Sequence, residues 1–179
     1  LDPSRRNIVK THRVQGYQRM NKILATALLC ASPVMAEENP FVDFRALKPS
    51  VNLAMAQGAL DFCNAAGFQI GVMVTDRFGI PQVFLRDQYA GVHVFETAHR
   101  KAWTAVTFRT PTGELSQLTA AGTDLAGLRN LSDAMMVGGG LPVLDGEGSL
   151  VAGIGVSGAP GGDQDENCAA AGIAAIEDD

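Results

Sequence analysis

The sequence predicts an α/β fold in which a largely antiparallel sheet carries helices packed against it. Two observations lead there. Apolar residues recur at three- and four-residue spacing in some stretches, and alternate or run together in others. The strand-like stretches are joined by short turns, which permit antiparallel pairing but not the long crossovers of a parallel sheet. The predicted order is helix, two strands, helix, short helix, three strands, helix.

The first helix follows Pro49-Ser50, with Val51, Ala54, Met55, Gly58, Ala59, Phe62, Ala65 and Ala66 as its apolar or small face. Gly67 ends it, since glycine accepts the left-handed conformation of a helix terminus at little cost. From Phe68 to Thr75, Ile70, Val72 and Val74 alternate, which marks a strand buried on at least one face. Asp76-Arg77-Phe78-Gly79 is a turn, and Val83 to Arg86 resumes as a strand. Pro81 cannot donate to a ladder, so this strand is expected at an edge or behind a bulge.

From Val92 or His93 to Phe108 the period becomes helical, with Phe95, Ala98, Ala102, Ala105 and Val106 in one stripe of mostly small residues. Thr110-Pro111-Thr112 stops this helix, and a short one is expected over Glu114 to Ala120. A polar connection runs to Asn130. Ala134 to Val137 and Leu141 to Leu144 read as strands on either side of Gly138-Gly139-Gly140. Ser149 to Val156 is a strong apolar strand after the turn Gly146-Glu147-Gly148. A last helix is expected from about Gln164 to Ile176, with Asp163 as its N-cap.

Ahead of all this, Met20 opens a pattern of its own. Lys22 is a positive start, Ile23 to Cys30 an apolar run, and Val34-Met35-Ala36 a small-residue cleavage site. That is the form of a secretory signal peptide over residues 20–36, cleaved after Ala36. The run is shorter than the ~20 residues a bilayer span needs, so no membrane insertion is expected after processing. Residues 1–19 read as an upstream extension, and 37–179 as a single domain in the periplasm or outside the cell.

Removing residues 1–36 leaves 8 basic against 18 acidic residues, a formal charge of −10 in place of −5. An acidic domain without a basic cluster repels phosphate backbones, so nucleic acid is not expected as a partner. Cys63 and Cys168 remain. Export would place them in an oxidising compartment, where they either pair or stay as separate buried thiols.

His93 stands at the start of the second helix, with Tyr89, Arg86 and Asp87 nearby. A neutral imidazole there suits a metal or haem iron, or it is simply a surface histidine. His99 is one turn from Phe95 and one turn from Trp103, either a second ligand flanked by aromatic rings or a residue at the margin of the buried face. Six residues put about 600° of rotation between the two histidines, so they do not share a face. Within residues 37–179 no third histidine and no Cys-x-x-Cys accompanies them, and no metal other than haem iron is expected. Ser157, Gly158, Gly161 and Gly162, before the last helix, form an alternative anion-binding stretch, against which Asp163 and Asp165 are natural residues for a helix start. It is neither a phosphate loop nor a nucleophile elbow. No catalytic constellation is legible.

Several motifs in order resemble the GlcG/HbpS-like haem-binding family, related to the C-terminal domain of PduO. They are Val72-x-Val74-x-Asp76-x-x-Gly79, Arg86 with Ala90, Ala98-x-x-Lys101-Ala102-x-Thr104-Ala105, Gly139-Gly140-Leu141-Pro142, and Gly153 to Ala159 with Asp163. The resemblance runs from about Val51 to Ile176. It implies a five-stranded antiparallel sheet flanked by helices, a profilin- or PAS-like α-β-α sandwich. It also implies homo-oligomers, often octamers, that bind haem without established catalysis. Gln88 stands where many members have aspartate. The expectation is an exported haem-binding protein for storage, scavenging or sensing. His93 is taken as iron ligand, Tyr89 or His99 as the alternative, with Arg86 or Arg109 meeting the propionates beside Phe95 and Trp103. The rival is a small-acid binding or accessory protein linked to glycolate-type 2-hydroxy-acid metabolism, using the glycine-rich stretch.

Overall fold

Four strands form one antiparallel sheet in the order β2-β1-β4-β3, in a computed structural model that describes residues 39–177. The strands are β1 (Gly71–Asp76), β2 (Pro81–Arg86), β3 (Gly140–Leu144) and β4 (Leu150–Ser157). The compact unit begins at Asp43. The expected signal peptide and upstream extension lie outside the described residues. No helix among the described residues is long and apolar enough to cross a membrane.

Period-two side-chain placement divides the core in two. Val72 and Val74 of β1 face one side, where they join Ile154 and Val156 of β4. Met73, between them, faces the other side. On the first side lie α1 (Pro49–Ala65), through Met55, Ala59 and Cys63, and α4 (Gly162–Ala174), through Cys168 and Ala169. On the second side lies α2 (Val94–Phe108), with Ala98 and Ala102 on Met73. The result is a three-layer α-β-α sandwich. Cys63 and Cys168 are bonded to each other, joining α1 to α4 with Cα atoms 5.7 Å apart. That separation is within the range a disulfide requires.

Local signals position most of these elements. Gly67 follows α1 at φ +81°, and Asp76 accepts from the Phe78 and Ile80 amides to shape the β1–β2 turn. β2 starts at Pro81, at the sheet edge, with a bulge opposite it between Val74 and Thr75. Edge and bulge are the two places where the missing proline donor does no harm.

Three expectations are corrected. The sheet has four strands, not five: Ala134 to Val137 is not a strand. The Thr104 hydroxyl accepts from the Met135 amide at 2.8 Å, and the Arg100 guanidinium donates to the Ala134 carbonyl at 2.9 Å. Ala134 and Met136 are buried against Leu115. The segment therefore satisfies its backbone on α2 and buries its side chains without joining the sheet. Second, α4 begins at Gly162 with Gly161 as N-cap, so Asp163 lies inside the first turn. Third, the short helix α3 spans Thr112–Leu118, and a 3-10 turn over Ala126–Asn130 interrupts the connection expected to be polar coil.

Candidate functional site

Close approach of a helix to a strand builds the site. A Cβ on Gly155 of β4 would lie 2.0 Å from the Ala98 carbonyl and 2.6 Å from the Ala102 amide of α2. The glycines of β4 therefore admit the α2 backbone, which brings one stripe of α2 over the end of β4. That stripe is His93, Thr97 and Lys101, spaced four residues apart on one helical face.

The stripe forms one wall of a cavity of about 410 Å³. Gly91 before α2, Ser157, Gly158 and Ala159 at the end of β4, Gly161, Gly162 and Asp165 at the start of α4, and Met135 and Val137 complete it. His93 is exposed at its rim, whereas Lys101 is 2% and Asp165 4% exposed. Lys101 Nζ lies 2.6 Å from Asp165 Oδ2 and donates to the Val156 carbonyl at 3.0 Å. The other carboxylate oxygen of Asp165 accepts from the Ala159 amide at 3.0 Å. Gly139, at φ +120°, passes so close that a Cβ there would sit 2.8 Å from Lys101 Nζ.

Burial pushes the Asp165 carboxyl above its ordinary value, and the Lys101 charge, its hydrogen bond and the Ala159 amide pull against that. Thr97 and Ser157 hydroxyls are 2.7 Å apart, with the Thr97 hydroxyl also 3.1 Å from the His93 carbonyl. The hydroxyls thus tie the start of α2 to the end of β4.

The sequence-predicted residues divide sharply. His93, Ser157, Gly158, Gly161 and Gly162, chosen for two rival sites, line this one cavity. Arg86 bonds the Ala90 carbonyl through Nε and Nη2, holding the loop that leads to His93. Tyr89 is 80% exposed on that loop. Phe95 is half-exposed and stacks edge-on against Phe84 at 4.9 Å.

His99 turns elsewhere: its Nε2 lies 3.4 Å from the Gly79 carbonyl in the β1–β2 turn. Trp103 packs against the same glycine and against the Leu115 cluster. Arg109 is the left-handed cap at the far end of α2, about 24 Å from His93 by helical rise. Neither His99, Trp103 nor Arg109 lines the cavity. Asp87 is taken up structurally, accepting from the Ile70 amide and the Asn64 amide group.

Lys101 and Asp165, the two charged residues of the cavity besides His93, escaped assignment to a site from sequence. The four-residue spacing of His93, Thr97 and Lys101 is the signal that could have placed Lys101 there. Its pairing with Asp165, 64 residues away, has no sequence signal.

Residues 47–174 match the family described as "Haem degrading protein HbpS-like". The chain belongs to the HbpS-like family. HbpS of Streptomyces reticuli, solved as a double mutant, superposes with a TM-score of 0.72 at 36% identity, covering 82% of this chain and 97% of that one. The structure described as a PduOC–heme complex gives 0.69 at 32% identity, covering 74% of this chain and 96% of that chain. The corrinoid adenosyltransferase PduO of Salmonella typhimurium is 33% identical over 123 residues. These are 68% of this chain but 36% of PduO, so the chain spans about a third of that protein.

Proposed function

We propose that this HbpS-like protein binds haem, as an exported homo-oligomer that stores, scavenges or senses it without turning it over, and that His93 is the iron ligand. The observation carrying this is the His93 imidazole at the cavity rim. It is exposed, and its ring nitrogens have no hydrogen-bond partner among the described residues. Gly91 leaves room for the ring: a Cβ there would lie 2.6 Å from His93 Cε1 and Nδ1. Tyr89, Val92 and Phe95, at 80%, 88% and 54% exposure, offer apolar surface near it in the chain. An open imidazole beside uncovered apolar side chains fits a flat, largely apolar iron porphyrin.

The bound group would supply an iron centre that accepts a ring nitrogen. The chain's own residues do the remaining work. Arg86 fixes the loop before His93, Thr97 anchors the backbone at His93, and Gly91 sets the ring's clearance. The family's description and the heme bound to PduOC support haem binding. That description names haem degradation, so the absence of turnover is our own proposal and rests on the lack of a legible catalytic constellation. The buried disulfide supports export, since such bonds persist in oxidising compartments.

A hemin titration of the full chain followed at the Soret band tests it, beside His93→Ala, His99→Ala and Tyr89→Phe. Saturable binding lost in His93→Ala alone is the expected result, and no saturable binding in the unaltered protein refutes it. Elution mass in solution and the N-terminal residue of the mature protein check assembly and cleavage after Ala36.

A second reading, a binding or accessory protein for glycolate-type 2-hydroxy acids, is favoured by one observation. The glycine-rich stretch and His93 face the same small cavity, whose volume falls in the range of small-molecule sites.

A further inference from the structure

We infer that the cavity between α2, β4 and α4 is a carboxylate site anchored by the buried Lys101 ammonium, with Ser157 beside it. The carboxylate comes either from a haem propionate or from a free short-chain organic acid. In its haem form the inference rests on the haem-binding reading; in its free-acid form it does not.

Hydrogen-bond supply is the first argument. An ammonium has three N–H groups. Asp165 and the Val156 carbonyl take two, and no third acceptor for Lys101 Nζ is present among the described residues. Lys101 nonetheless lines the cavity at 2% exposure. A buried ammonium with an unspent donor, in the wall of a cavity, calls for an acceptor, because leaving it unmade costs the desolvation of that donor.

The charge balance is the second. Asp165 neutralises Lys101, and its ionised form has further partners of its own. Its second oxygen takes the Ala159 amide, and it stands in the first turn of α4, where the helix dipole favours negative charge. The pair therefore stays ionised where it is buried, and an anion would be drawn by the unspent N–H of a charged donor, not by a net positive charge.

The lining is the third. Lys101, the Ser157 hydroxyl and the His93 ring offer donors to the polar surface, beside the Asp165 carboxylate and a Thr97 hydroxyl already engaged with Ser157 and the His93 carbonyl. Met135, Val137 and Ala159 provide apolar wall. Donors at one end and short apolar side chains around them match a carboxylate on a small hydrocarbon stem. The stripe from Lys101 to His93 spans about 12 Å along α2, so one occupant can meet the buried ammonium and the rim imidazole together.

The test compares hemin with its dimethyl ester, which keeps the porphyrin and iron but has no carboxylate. It uses the full chain, the charge-neutral double variant Lys101→Met/Asp165→Asn, and the single variant Ser157→Ala. The double variant avoids leaving a lone buried charge and so keeps the fold measurable. The unaltered protein is expected to prefer hemin over the ester by about tenfold or more, as for a charge-assisted hydrogen bond. The preference should vanish in the double variant and shrink in Ser157→Ala, with His93-dependent Soret binding still present in both.

Calorimetry with acetate, propionate and glycolate forms the second arm. Saturable binding of any of them, lost in the double variant, supports the free-acid form even if hemin does not bind at all. Equal affinity for hemin and its ester, together with no binding of the acids, overturns the carboxylate site while leaving the haem reading standing.

Discussion

Replacing Lys101 by methionine should be among the most damaging single changes in the chain, and its damage should depend on pH in a specific direction. Methionine fills similar space with an adaptable apolar side chain, so the lost term is mainly charge. The Asp165 carboxylate, 4% exposed, then keeps the Ala159 amide as its one hydrogen-bonding partner among the described residues. Breaking one half of a buried pair costs about 3–5 kcal/mol, a large part of the 5–15 kcal/mol by which domains are stable.

Asp165 already sits above its ordinary value of 3.8 because burial outweighs the pull of Lys101. Without Lys101 the carboxyl rises further. A group whose native value is raised adds stability below its unfolded value and loses it as pH rises through the native one. The deficit of Lys101→Met relative to the unaltered protein should therefore be greatest near neutral pH. It should narrow as pH falls through the raised native value toward 3.8. Urea unfolding at a series of pH values measures this, with Lys101→Met/Asp165→Asn as the partner variant. The double variant should recover most of the loss and show no such pH-dependent deficit. A deficit below about 1 kcal/mol, or one that does not change with pH, would refute the argument, since an uncompensated buried carboxylate can do neither.

Gly155→Ala should cost about 3 kcal/mol or more in thermal unfolding, because its Cβ would meet the α2 backbone at 2.0 Å. Gly146→Ala, with nothing within 4 Å, should stay within about 0.5 kcal/mol and serves as its control. Replacing Cys63 and Cys168 together by serine should lower stability by roughly 4–5 kcal/mol, given their 105-residue separation, and should abolish any shift of the urea midpoint on adding reductant. A midpoint that reductant leaves unchanged in the unaltered protein, under conditions where free thiol is shown to form, would contradict the structural role of that bond.

Much of the fold was legible because its causes are local. Alternation at Ile70, Val72 and Val74 reflects the two faces of a strand, and the small-residue stripe of α2 reflects packing against a sheet. Pro81 announced an edge because it lacks a donor, and Gly67 a helix end because it accepts positive φ. The error at Ala134 to Val137 has an equally definite cause. Four apolar residues after a polar connection read as a strand, but periodicity cannot tell whether a segment's backbone will find a neighbouring strand or the Thr104 and Arg100 side chains.

The candidate site was half legible for the same reason. His93 and the glycines before α4 stood out by residue type, yet they suggested two separate sites. That they share one cavity follows from how closely α2 approaches β4, a distance set by Gly155. The sequence by itself determined the elements, the acidic balance and the kind of side chains available for chemistry. Only the tertiary structure decided which of them come together: Lys101 with Asp165, Cys63 with Cys168, His93 and Ser157 on one cavity, and His99 with none of these. Local propensity acts over a few residues, whereas these encounters depend on layers closing over a shared sheet.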